Sequence, residues 1–171
     1  MAAALTLIDE RDVSRDLYLF DTFEGMPPPN EVDRTTDGTL ARTHLDRDPG
    51  KAGLVWAVAG IDDVRRNMES TGYPRDRVNY VKGPVESTVP AQSPKGAIAL
   101  LRLDTDWYES TKHELENLFP LLSKDGILII DDYGHWEGAK KAVDDYFDAS
   151  GRPYYLHRID YTGRLLVKTH D

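Results

Sequence analysis

Acidic residues stand directly after short apolar runs at three places in this sequence: Asp21 after residues 17–20, Asp104 and Asp106 after 97–103, and Asp131 and Asp132 after 127–130. If the runs ending at 103 and 130 are neighbouring strands, their axes lie about 4.8 Å apart and three or more carboxylates meet in one small volume. Such a cluster repels itself unless a cation binds or protons stay on. Hard oxygen ligands, with no cysteine and no HExxH helix, favour Mg2+ or a similar divalent ion over zinc. A single Asp after a strand also serves as a helix N-cap or turn residue, so the pairing and order carry the inference. Asp106 is the weakest member, because it could simply begin a helix near Ser110. His135 follows the Asp pair and could act as a general base, imidazole being the side chain that titrates near neutral pH, or it could be a half-exposed loop residue. His44, His113, His157 and His170 have no such setting and read as solvated. Phe23, Trp107, Tyr108, Tyr133 and Trp136 lie near these acidic ends, as an apolar wall for a flat ligand or as the rim of a core.

The elements that must position these groups are legible as alternation. Residues 17–20, 78–81, 97–103 and 127–130 read as buried strands. Residues 61–70, 110–122 and 137–147 carry apolar positions at spacings of three and four and read as amphipathic helices. Residues 154–159, a turn at 161–163 and 165–167 form a predicted hairpin. Apolar strands separated by helices indicate α/β class, a doubly wound, mostly parallel sheet covered on both faces, with a C-terminal antiparallel hairpin. In such sheets ligands bind beyond the carboxyl ends of the strands, where the acidic residues stand. The segment 26–51 has four of the ten prolines and no clear period, and reads as a long surface loop or lid. Residues 83–90, after the second strand, form a second candidate ligand loop.

The 171 residues predict one domain. With 21 Lys and Arg against 30 Asp and Glu, the net charge of −9 disfavours nucleic acid and anionic membranes as partners. The absence of cysteine excludes disulfides, thiolate metal sites and thiol nucleophiles. The apolar run 54–59 is far shorter than the roughly 20 residues of a spanning helix, and the first ten residues lack a signal-peptide pattern, so a cytoplasmic protein is expected.

Three blocks, 18–27 (YLFDTFEGMP), 101–111 (LRLDTDWYEST) and 129–136 (IIDDYGHW), together resemble the macrocin O-methyltransferase family of antibiotic biosynthesis. The resemblance implies a class I Rossmann-like methyltransferase fold, S-adenosyl-L-methionine as methyl donor and a divalent cation, usually Mg2+. By the family pattern Asp21 would contact the donor ribose with Thr22 and Phe23 beside it, and Gly83, Pro84 and Val85 would lie near the adenine. Asp104, Asp131 and Asp132 would hold the metal, with Asp104 doubling as candidate general base. The acceptor would be a small molecule, a glycosylated natural product. A metal that binds an alcohol lowers its pKa and aims it at the donor methyl, which agrees with the carboxylate cluster.

The family's first strand and glycine-rich loop should precede Asp21 by some thirty residues and find no counterpart in 1–16, which resemble the end of the first helix. A single, N-terminally shortened domain is therefore expected. The first strand would lie between the strands ending at Asp21 and Asp104, so closure of the sheet, association into a homo-oligomer or aggregation is anticipated. Two other readings stay open: a catalytically inactive methyltransferase-like binding module, and an aspartate-nucleophile phosphatase, whose DxD start resembles Asp104-Thr-Asp106 but whose later positions do not match.

Overall fold

A computed structural model describes residues 1–170. The chain forms two compact units. The first, Met1–Pro27 with Gly50–Pro84, contains α1 (Ala2–Asp9), β1 (Leu17–Asp21), α3 (Ile61–Glu69) and β2 (Val78–Lys82). β1 and β2 pair in parallel with Asp21 opposite Lys82, so both strands end together. Their inner core is Ala4, Met68 and Tyr73, packed against Leu7, Leu17, Leu19 and Val78.

The second unit, Pro28–Pro49 with everything from Val85 onward, contains α2 (Ala41–Asp46), α4 (Val85–Thr88), β3 (Ile98–Leu103), α5 (Tyr108–Leu118), β4 (Leu122–Ile130), α6 (Glu137–Ala149), β5 (His157–Arg158) and β6 (Arg164–Val167). Its sheet runs β3-β4-β6-β5, with β3 and β4 parallel and the hairpin strands antiparallel. Leu101, Leu128 and Leu166 face one another across the three strands and are buried, as are Leu103 and Ile130 on the same side. α5 packs on α6 and touches β3, with Leu115 and Leu118 of α5 and Val143 and Phe147 of α6 in the core. Strand alternation sends Leu100 and Val167 to the other face, where they remain 51% and 46% exposed, so the expected cover on both faces is incomplete there. Among the described residues β1 pairs only with β2 and β3 only with β4.

Several boundaries differ from expectation for identifiable reasons. The helix predicted to 122 stops at Leu118, because Pro120 has no N–H with which to continue it. Leu122 instead opens β4 opposite Ile98, ahead of an irregularity that includes Asp125 at φ 63°. The hairpin's first strand is only His157–Arg158, and its turn is held by Asp160 Oδ1, which accepts the N–H groups of Thr162 and Gly163. The candidate ligand loop after β2 contains the short α4. The segment 26–51 is not a free surface loop: its part from Pro28 to Pro49 carries α2 and is docked on the second unit. No helix among the described residues is long and apolar enough to cross a membrane.

Candidate active site and its carboxylate cluster

β3 and β4 run in parallel with Leu103 opposite Ile130, so Asp104 and Asp131–Asp132 leave the sheet side by side. Asp104, Asp106 and Asp132 each place a carboxylate oxygen within 4.8 Å of the others. Asp106 joins because its backbone turns at φ 63°, directing the chain back before Trp107 caps α5. Asp131, expected to be a third ligand, turns its Oδ2 to Arg102, which donates to it at 2.8 Å and contacts Asp104 Oδ2 at 2.8 Å. Arg102 was not singled out from the sequence, although a lone arginine in an apolar strand, two residues before Asp104 and so on its face, was a readable signal.

Burial and the adjacent Asp131 carboxyl push Asp104 up to about 7, although its side chain is 46% exposed. Burial and the charge of Asp132 push Asp106 up to about 9, and burial raises Asp132. Oδ2 of Asp132 is buried with no hydrogen-bond partner. Three crowded carboxylates with an orphaned oxygen suit a hard divalent cation, which would satisfy that oxygen and offset the repulsion.

His135 is partly exposed, its Nδ1 3.3 Å from the Tyr161 hydroxyl and its ring edge-on to Trp136. Trp107 and Trp136 are buried edge to face at 4.9 Å, and Tyr133 and Tyr108 donate to Asp144 and Asp145, so these four form a core rim. His113 and His44, read as solvated, are not free: His113 Nε2 lies 2.9 Å from Val89 O, and His44 packs edge-on to Trp136. Beneath the cluster Glu114 is buried, and its Oε2 accepts from Thr105 Oγ1 at 2.9 Å. Glu114 also went unread, although it shares the inward face of α5 with Thr111, Leu115 and Leu118.

Of the residues assigned to the donor, Asp21, Thr22, Phe23, Gly83 and Pro84 belong to the first unit, at and just beyond the end of the β1–β2 sheet. Asp21 Oδ1 accepts the Phe23 N–H at 2.7 Å, Thr22 donates to Gly25 O at 2.7 Å, and Phe23 is buried. Gly83 donates its N–H to Asp21 O at 2.9 Å. Pro84 closes the first unit and Val85 opens α4 in the second.

Parallel strands with flanking helices and acidic strand ends make a Rossmann-like arrangement, and solved methyltransferase structures share this fold. Among solved structures, the O-methyltransferase NovP superimposes with a TM-score of 0.79 at 30% identity over 96% of this chain and 64% of that one. The calicheamicin methyltransferase CalS11 gives a TM-score of 0.66 at 25% identity, covering 97% and 65%. The chain belongs to the macrocin O-methyltransferase (TylF) family, which it matches over residues 1–168. It is 38% identical over 152 residues to the 8-demethyl-8-(2,3-dimethoxy-alpha-L-rhamnosyl)-tetracenomycin-C 4'-O-methyltransferase of Streptomyces olivaceus, covering 89% of this chain and 54% of the relative. It is 35% identical over 146 residues to the demethyldecarbamoylnovobiocin O-methyltransferase of Streptomyces niveus, covering 85% and 52%. The chain spans about half the length of these two relatives.

Proposed function

We propose that this chain carries the metal and donor residues of an S-adenosyl-L-methionine-dependent O-methyltransferase that acts on a hydroxyl of a small natural product, a sugar hydroxyl by analogy with its relatives. The observation that carries the reading is the group Asp104, Asp106 and Asp132 with its unpartnered buried oxygen. These three residues would hold Mg2+ or a similar ion, with Asp131 adjacent through Arg102. Bound there, the ion would lower the pKa of an acceptor hydroxyl and neutralise the carboxylates.

In the transfer a bond forms between the acceptor oxygen and the methyl carbon as the carbon–sulfur bond breaks, and the hydroxyl proton must leave. Asp104 takes that proton, being the most open of the three and able to pass it to solvent. His135, beside Tyr161 and Trp136, is the second candidate to carry it. Asp21 accepts hydrogen bonds from the donor ribose, with Thr22, Phe23 and Gly83 shaping the turn that presents it. Pro84 follows Gly83 on the adenine side of the first unit.

Calorimetric titration of the full chain with Mn2+ and with S-adenosylhomocysteine, paired with a methyl-transfer assay, tests this. Mn2+ binding that is lost in Asp104→Asn, with transfer that requires a divalent ion, is expected. Full transfer in excess EDTA, or Mn2+ binding unaffected by Asp104→Asn, overturns the metal reading. Donor and Mn2+ binding without transfer to any hydroxyl would favour a binding module instead.

A further inference from the structure

Asp33 lies in the proline-rich segment that shows no periodicity, yet it is fully buried. Both of its oxygens are used. Oδ1 accepts the N–H of Tyr108 at 2.8 Å, the first residue of α5, and Oδ2 accepts the N–H of Asn30 at 2.7 Å. The Asp33 N–H in turn donates to Asn30 O at 3.1 Å, closing a reciprocal turn, and Asp33 O accepts from Ala41 at 2.9 Å, tying the start of α2 to the same point. Gly138, in the first turn of α6, has no room for a side chain, because a Cβ there would stand 2.0 Å from Asp33 Oδ1. Next to it the Glu137 N–H donates to Arg34 O at 2.8 Å, and Thr35 bridges Trp136.

Asp33 therefore meets both chain segments that bear the cluster. Tyr108 is two residues beyond Asp106, and the Trp136–Gly138 stretch begins four residues beyond Asp132. Both segments lie beyond the strands themselves, since β3 ends at Leu103 and β4 at Ile130. A buried, doubly hydrogen-bonded carboxylate that touches both loops sets their separation.

We propose that Asp33 is a positioning residue that clamps segment 28–49 onto the loops 104–108 and 131–138, so that divalent-ion affinity at the carboxylate cluster depends on a residue that does not touch the ion. Segment 28–49 is on this view a fixed wall of the site rather than a mobile lid. The inference rests on the metal reading above.

Its test is the Mn2+ affinity of the full chain by calorimetry, with far-UV circular dichroism beside it, for Asp33→Asn, Asp33→Ala, Gly138→Ala and the double variant Asp33→Ala/Gly138→Ala. Asp33→Asn keeps the size but sets an amide donor against one of two N–H groups. Gly138→Ala keeps the carboxylate and presses on it. Each single variant is expected to weaken Mn2+ binding about tenfold or more with an unchanged helical spectrum. The double variant should bind no worse than Asp33→Ala alone, because the new methyl fills space that the carboxylate has left. If Asp104→Asn abolishes Mn2+ binding while the single variants all stay within about twofold of the parent, the clamp is wrong and the metal reading stands. If a single variant loses its helical spectrum, a Gly138→Ala chain that stays folded and binds Mn2+ normally also refutes the clamp. If Asp104→Asn itself changes nothing, the metal reading falls and the inference with it.

Discussion

Thr105 Oγ1 donates a 2.9 Å hydrogen bond to Glu114 Oε2, linking the residue between two cluster carboxylates to a buried carboxyl on α5. Burial raises Glu114 to about 8, opposed by that hydrogen bond and assisted by the charges of Glu86 and Asp104. The folded chain thus keeps a proton that the unfolded chain releases near the ordinary glutamate value of 4.5. The corresponding stability is fully present below about 4.5, falls as pH rises towards about 8 and is flat above, a swing on the order of a few kcal/mol. Glu114→Gln should remove it. Melting temperatures measured from about pH 5 to pH 9 should show the variant gaining on the parent as pH rises, and parallel curves would refute a neutral buried Glu114.

Asp21 presents its carboxylate at the end of β1, with Oδ1 fixed by the Phe23 N–H. A charge-assisted hydrogen bond to a ribose hydroxyl contributes roughly 1.5 to 3 kcal/mol. Asp21→Ala should weaken S-adenosylhomocysteine binding about tenfold or more, read by calorimetry, while Mn2+ affinity stays unchanged. Equal donor affinity in parent and variant would remove Asp21 from the donor site.

How much of this arrangement was legible depends on whether a residue's role is set locally. Leu101, Leu103, Leu128 and Ile130 alternate along their strands, and the acidic residues after them follow from chain order alone. Glu114 and Arg102 are set by helical and strand periodicity respectively and could have been read. Asp33 could not, since its partner Tyr108 is 75 residues away and nothing periodic surrounds it. The start of β4 at Leu122 was hidden for a related reason: Leu118, Leu121 and Leu122 keep helical spacing across Pro120, and only pairing with Ile98 makes the last of them a strand residue.

Lys168 tests stability apart from the site. It is 7% exposed, and its Nζ donates to Leu122 O at 2.6 Å and reaches Phe119 O and Pro120 O at 3.4 Å. These carbonyls belong to the turn between α5 and β4, beyond the helix end at Leu118, and the buried ammonium supplies donors to them, Phe119 O also accepting the Leu122 N–H. Lys168→Met fills similar volume without donors and should cost about 1 to 3 kcal/mol. A fall of several degrees in melting temperature with unchanged Mn2+ affinity is expected, and no fall would show that these carbonyls find other donors.

Gly134 should couple both properties. Its N–H donates to Thr162 O at 2.9 Å, and a Cβ at this position would stand 1.9 Å from Tyr161 O. The neighbour is backbone, so the clash cannot be relieved by turning a side chain, and the loop after β4 must separate from the hairpin turn. That separation would carry Tyr161 away from His135 and disturb Asp132, two residues before Gly134. Gly134→Ala should therefore lower stability by about 1 to 3 kcal/mol and weaken Mn2+ binding as well, in contrast to Lys168→Met. Thermal melting and calorimetry on the two variants side by side make the comparison. A Gly134→Ala chain that melts and binds Mn2+ like the parent would mean that the loop and the turn do not touch in solution.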